Sequence, residues 1–284
     1  MQDVAASSVA LITPCGPIDA SIRPPGSKSI TNRALVCAAL ATGTSQLHGV
    51  LDSEDTQVML QAWKQLGLDL EHDADAAAVT VQGCAGALSG SSSSKIFVAN
   101  SGTTVRFLCA ALAACGGEYE LDGVARMRER PIGDLLVALE QLGVSIERIN
   151  ADRPDCPPVR IQSSGLTGGA ATIAGGISSQ FLSGLMMAAP LASQNVRLEV
   201  TGELVSVPYV KMTAAVMRSF GVDVEERLPQ SIDIAGNQMY QSTAYAVEPD
   251  ASAASYFWAA AAICGGRATV RGLSADSLQG DVQF

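Results

Sequence analysis

Apolar and polar positions along this chain fall into a pattern that recurs. Three stretches, ITNRALVCAALA, TVRFLCAALAAC and FLSGLMMAAPLA, are apolar on almost every side, and a helix without a polar face is a buried helix. Each is led by a small polar cluster: Ser27-Lys28-Ser29, Asn100-Ser101-Gly102-Thr103 and Ser178-Ser179-Gln180. Each is followed by a short alternating stretch ending in glycine, SQLHG to Gly49, YELDG to Gly123 and RLEVTG to Gly202, with a fourth copy, ATVRG, reaching Gly272. A second, amphipathic helix comes next, with apolar positions at three- and four-residue spacing such as Met59, Trp63 and Leu66, or Ile132, Leu135, Leu136, Leu139 and Leu142. These helices are expected to face solvent on one side. They end in matching phrases, QLGLDLE, QLGVSIE and SFGVDVE, where Gly67, Gly143 and Gly221 suit the left-handed residue after a helix and alternation then begins a strand. A last strand closes each unit: AVTVQG, PVRIQS and SIDIAG.

The unit reads βαβαββ if its first helix is fed by the strand or loop before it, and three copies fill residues 27–245 as one complete α/β domain. A fourth copy opens at Asp250-Ala251-Ser252, runs through ASYFWAAAAIC and its strand, and is still short of a second helix at Phe284. The expectation is therefore an incomplete second domain made of residues 1–26 and 246–284. Its apolar helix is expected to lack the neighbours that would bury it.

Composition narrows the partners. The chain is 48% apolar and 16% charged over 284 residues, enough for two domains with real cores, and its formal charge of −10 opposes a role on nucleic acid or an anionic membrane surface. Any anion site has to be local. No apolar run reaches the roughly 18 residues of a membrane span, and the first twenty residues carry Asp3 and Asp19 but no Lys or Arg, unlike a secretory or transit peptide. A cytoplasmic location is expected. Seven cysteines, Cys15, Cys37, Cys84, Cys109, Cys115, Cys156 and Cys264, form an odd count without a C-x-x-C pair, which reads as reduced core thiols and no metal site.

The polar clusters are the candidate chemistry. A helix amino end offers unpaired N–H groups and about half a positive charge, so Ser, Thr, Asn or Gly there either caps the helix or leaves the N–H groups to an anion. Capping alone is the ordinary explanation for any one cluster, but Lys28, Arg33, Arg106, Arg126, Arg128 and Arg130 accompany them in an otherwise acidic chain. Arg106, on an apolar helix, needs either a carboxylate or a bound anion. A helix end contributes roughly 0.3–2 kcal/mol, whereas micromolar binding needs about 8 kcal/mol. Three or four Lys/Arg contacts at about 1.5–3 kcal/mol each close that gap, so the ligand should carry several negative groups. The two histidines, His48 and His72, read as surface or strand-end residues, and there is no zinc, nucleophile-elbow, P-loop or dinucleotide motif.

The segments PPGSKSITNRALVCAALA, LDSEDTQVML, NSGTTVRFL, ARMRERPIGDL, SSQFLSGLMMAAPL, GELVSVPYV and EPDASAASYF span nearly the whole chain in order, and together resemble the 5-enolpyruvylshikimate-3-phosphate (EPSP) synthase family. The resemblance implies two similar domains of βαβαββ units arranged as an inside-out barrel, with chain crossings near Pro24-Pro25-Gly26 and near residues 243–247. It implies attack of the 5-hydroxyl of shikimate 3-phosphate on phosphoenolpyruvate with loss of phosphate, without metal or organic cofactor. It implies a monomer at full length. Carried over by motif, Lys28 would touch both substrates and act in catalysis. Ser29, Arg33, Ser178, Ser179, Gln180, Ser206 and Tyr209 would hold shikimate 3-phosphate, with Val207 standing where some members carry lysine. Gly102, Thr103, Arg130 and Gln180 would surround phosphoenolpyruvate, and Arg106 and Arg126 would support the local field. Gly102 also stands where glyphosate-sensitive members keep glycine. The family's proton-transfer carboxylates correspond to positions beyond Phe284, so this polypeptide alone is expected not to turn over. Alternatives are the related enolpyruvyl transferase acting on UDP-N-acetylglucosamine, which RMRERP and SSQ fit less well, and a non-catalytic anion-binding module.

Overall fold

A computed structural model describes residues 13–88 and 93–283. Its chain runs β1 (Ile18–Ile22), α1 (Lys28–Leu40), β2 (Thr44–His48), α2 (Glu54–Gln65), β3 (Leu70–Asp73), β4 (Ala78–Gln82), β5 (Ser93–Phe97), α3 (Gly102–Cys115) and β6 (Gly117–Asp122). It continues with α4 (Gly133–Gln141), β7 (Ser145–Arg148), β8 (Val159–Ser163), β9 (Gly169–Ala174), α5 (Ser179–Ala188), β10 (Val196–Thr201), α6 (Val207–Ser219), β11 (Glu225–Arg227), β12 (Ser231–Ile234), β13 (Ala244–Ala246), α7 (Ala251–Cys264) and β14 (Gly266–Val270).

Three four-stranded sheets share one topology. In the second and third units a strand runs parallel to the strand after the buried helix, and two antiparallel partners follow: β5-β6-β8-β7 and β9-β10-β12-β11. The first unit departs from the expectation that a segment preceding its helix would feed it. Its opening strand is β13, from the far end of the three units, which pairs in parallel with β2 through Ala244–Gln46, Tyr245–Leu47 and Ala246–His48. The segment that does precede α1 carries β1, and β1 pairs in parallel with β14. The two connecting segments pass side by side at Gly26 and Pro249, held by Ser27 N–H to the Glu248 carbonyl (2.8 Å) and Asp250 N–H to the Pro25 carbonyl (2.8 Å).

The expected amphipathic helices bury the expected positions: Met59 and Trp63 of α2, and Leu135, Leu136 and Leu139 of α4, are 1% exposed or less. Gly67, Gly143 and Gly221 all have φ between +80° and +93°. Helices α1, α3 and α5 are buried almost throughout. Gly184 allows α5 to approach α3 closely, because a Cβ there would sit 3.0 Å from the Arg106 carbonyl oxygen. Helix α7 is as apolar as these three but buries only Ala251 and Ala254. The thiol expectation needs correction at one end of the chain. Cys37, Cys109 and Cys156 are buried, but Cys15 is exposed and its sulfur lies 3.6 Å from that of Cys264, outside any core. All seven remain free thiols.

Candidate functional site

The amino ends of α1, α2, α3, α5 and α6 meet, and three consecutive residues in the first turn of α3 show how. Gly102 lies under the Arg130 guanidinium, so close that a Cβ on it would fall 2.3 Å from Arg130 Nη2. Thr103 Oγ1 accepts from Gln180 Nε2 at 3.1 Å, joining α3 to α5. Thr104 Oγ1 reaches the Asp55 carbonyl at 3.5 Å, and the Asp55 carboxylate pairs with Lys28 Nζ at 3.2 Å, joining α3 to α2 and α1. One helical turn, through a glycine without a side chain and two threonine hydroxyls, therefore gathers Arg130, Gln180 and, by way of Asp55, Lys28, which lie far apart in sequence.

Capping explains part of this polar chemistry. Ser101 accepts from Thr104 N–H and Ser178 accepts from Gln180 N–H, which are ordinary caps on α3 and α5. The Ser101 hydroxyl also lies 2.8 Å from Thr104 Oγ1 and donates to it, because the Thr104 hydrogen goes to the Asp55 carbonyl. Ser27 and Ser206, at the heads of α1 and α6, make no side-chain cap hydrogen bond.

The cations divide by partner. Arg106 donates from Nη1 to Gln180 Oε1 at 2.5 Å, contacts the Pro131 carbonyl at 3.5 Å and stacks on Phe181 with its guanidinium carbon 5.0 Å from the ring centre. Because Arg106 donates to the oxygen and Thr103 accepts from the nitrogen, the Gln180 amide has one orientation. Among the described residues no carboxylate pairs with Arg106, and its buried Nε has no hydrogen-bond partner. Burial, with the nearby Arg130 charge adding to it, pulls its pKa down to about 10. Arg130 donates to the Asn100 carbonyl at 2.8 Å. Arg33, 2% exposed, is also drawn down to about 10 by burial. Arg126 and Arg128 differ: Arg126 is held by Glu129 at 2.9 Å, and Arg128 grips Asp122 with two hydrogen bonds at 2.9 and 2.6 Å. Their charge is largely offset, so Arg126 adds little to the field expected of it.

Ser29, Tyr209 and Ser27 line a cavity of about 520 Å³ whose other wall is the segment from Ala275 to Gln283. Tyr209 is 39% exposed there. Asp55, Ser183 and Thr213 carry contacts to the candidate residues but had not been singled out from sequence. His48 ends β2 on the surface, and His72 is a partly exposed β3 residue within 3.4 Å of Gln57. Among the described residues no group of His, Cys, Asp and Glu could hold a metal ion. None of the described helices is long and apolar enough to cross a membrane.

Fold and site together define a repeat-built α/β protein in which several helix amino ends meet and bring cations near one another. Residues 12–284 match the EPSP synthase (3-phosphoshikimate 1-carboxyvinyltransferase) family, and the chain belongs to that family. Among similar proteins, the 3-phosphoshikimate 1-carboxyvinyltransferase of Shewanella denitrificans is 48% identical over 274 residues, covering 96% of this chain and 64% of the relative. The chloroplastic enzyme of that name from Arabidopsis thaliana is 47% identical over 289 residues, covering 98% of this chain and 55% of the relative. An EPSP synthase structure from Acinetobacter baumannii superposes with a TM-score of 0.82 at 26% identity, covering 93% of this chain and 57% of that one. The two-domain inside-out α/β architecture of that family is the fold class of this chain. The chain spans about three fifths of the length of the relatives it matches.

Proposed function

We propose that the protein to which this chain belongs transfers the enolpyruvyl group of phosphoenolpyruvate to the 5-hydroxyl of shikimate 3-phosphate, and that residues 27–245 form the domain that holds shikimate 3-phosphate. Residues 1–26 and 246–284 are assigned to the second domain, with residues 1–12 and 284 lying outside the described residues. The observation that carries this reading is the turn at Gly102, Thr103 and Thr104, which draws Arg130, Gln180 and, through Asp55, Lys28 around one point. Both substrates are multiply anionic, and the unpaired Arg106 and the lightly engaged Arg130 supply charge without a carboxylate to cancel it. Ser29, Ser178, Ser179, Gln180, Ser206 and Tyr209 take the phosphorylated ring, with Arg33 beneath them. Gly102, Thr103, Arg130, Lys28 and Gln180 face phosphoenolpyruvate. The substrates are small molecules, and the acidic chain has no surface role with nucleic acid.

Lys28 and Gln180 are the candidates serving both substrates, and the Lys28 ammonium is held by Asp55 at 3.2 Å. Calorimetric titration of the chain with shikimate 3-phosphate tests the reading. Saturable binding is expected, weakened at least about tenfold in Lys28→Ala, which is a loss of about 1.4 kcal/mol. Absence of binding, or identical binding by the variant, contradicts it.

A further inference from the structure

The residues expected to face shikimate 3-phosphate stand on three helices, and a shared buried cluster lies one turn beneath them. Ser29, Ser179 and Tyr209 are each followed four residues later by Arg33, Ser183 and Thr213, a spacing that places both members of each pair on one helix face. The three second-turn residues meet. Arg33 donates from Nε to Thr213 Oγ1 at 2.7 Å, from Nη2 to Ser183 Oγ at 2.8 Å and from Nη1 to the Ser29 carbonyl at 2.8 Å. Ser183 and Thr213 are wholly buried and Arg33 nearly so.

Proton directions follow from the geometry. The Thr213 hydroxyl hydrogen goes to the Tyr209 carbonyl at 2.7 Å, so in the 2.8 Å contact between the two hydroxyls Ser183 is the donor. Phe107 of α3 and Tyr209 flank the guanidinium at 5.4 and 5.8 Å. No carboxylate pairs with Arg33 among the described residues.

We propose that Ser183 and Thr213 are positioning residues which, with Arg33, form a buried hub that locks the first turns of α1, α5 and α6 in register and presents Ser29, Ser179 and Tyr209 together to the ligand. The choice of partners has a physical reason. A guanidinium holds several acceptors at fixed angles, and hydroxyl acceptors orient it without neutralising it. A carboxylate would orient it equally well but would cancel the positive charge beneath an anion site. The functional consequence rests on shikimate 3-phosphate being the ligand; the hub itself does not.

Two readouts keep these apart. Thr213→Val keeps the side-chain volume but removes the acceptor for Arg33 and Ser183, while Thr213→Ser retains it. In the unliganded chain, amide hydrogen exchange in the first turns of α1 and α6 is expected to quicken about tenfold or more in Thr213→Val, with α2 and α4 little changed, and to return in Thr213→Ser. Affinity for shikimate 3-phosphate is expected to fall about tenfold in Thr213→Val and less than about threefold in Thr213→Ser. Ser183→Ala, which leaves the Arg33–Thr213 bond in place, should quicken the first turn of α5 and serves if the valine variant does not fold. Unchanged exchange at all three helix heads, or acceleration spread evenly over every element in both variants, overturns the hub. If the unmodified chain fails to bind shikimate 3-phosphate, the ligand assignment falls while the exchange data still decide the hub.

Discussion

Arg106, which reaches the Pro131 carbonyl, and Arg128, three residues before that proline, carry the same charge, yet only one of them lacks a carboxylate partner among the described residues. Arg128 is exposed and gripped by Asp122 through two hydrogen bonds, whereas Arg106 is half-buried, holds a neutral amide and keeps an unpartnered Nε. An exposed ion pair contributes about 0–1 kcal/mol and little net field. A guanidinium held by neutral partners retains its full attraction for an anion and bears a desolvation cost that the anion relieves. A molecule of net charge −10 can thus hold an electropositive mouth, because its carboxylates are distributed away from Arg33 and Arg106.

The largest effect expected from this contrast follows Arg106→Met. The variant loses a cation and the bond that orients Gln180, so affinity for shikimate 3-phosphate should fall about 10- to 100-fold, the range of a charge-assisted hydrogen bond. Thermal stability should not drop, because an unpaired, partly buried charge has been removed. A lower melting temperature with unchanged affinity would make Arg106 a structural residue instead.

Gly102→Ala should have an intermediate effect. Its Cβ would displace the flexible end of Arg130 without touching the helix fold, and a weakening of phosphoenolpyruvate binding by about three- to tenfold, or 0.7–1.4 kcal/mol, is expected. Titration calorimetry measures it, and a crystal structure of the variant with Arg130 unmoved would contradict the cause. Raising pH should then weaken anion binding as Arg106 loses its proton. Its pKa is held near 10 by burial and Arg130 instead of the usual 12.5, so affinity should decline between about pH 9 and 11, and Arg106→Met should show a smaller step, the remainder coming from Arg33, which burial also draws down to about 10. The smallest effect belongs to Arg128→Ala, which should change affinity less than about twofold.

Periodicity made the repeated units legible, because burial imposes a period near 3.6 on helices and 2 on strands, and each unit repeats both. The origin of the first unit's opening strand was not legible. β13 is the three-residue AYA, too short to show alternation, and its pairing with β2 spans the whole three-unit region. Composition does not separate α7 from α3, since both are apolar, but the repeat pattern did: the helix of the fourth copy was expected to lack burying neighbours, and α7 buries only Ala251 and Ala254. Among the proposed site residues, Lys28, Gly102, Thr103, Arg130 and Gln180 came from helix-head clusters and motif resemblance. Which arginines are neutralised was less accessible. The Arg126–Glu129 pair follows helical spacing and could have been read, but Asp55 lies 3.2 Å from Lys28 only through the packing of α1 against α2. Ser183 and Thr213 resembled incidental hydroxyls in apolar helices. Their signal was the four-residue offset from Ser179 and Tyr209, which becomes meaningful only once Arg33 is known to join them.

The central claim is that the anion is received at the first turn of α3 and the helix heads around it. Following backbone amide resonances of the unmodified chain during titration with shikimate 3-phosphate tests it most directly. The account predicts the largest shifts at Ser29, Thr103, Ser179 and Gln180, with little change at Arg126 and Arg128. Shifts concentrated on the Arg126–Arg128 turn, or scattered over the surface without saturation, would contradict it.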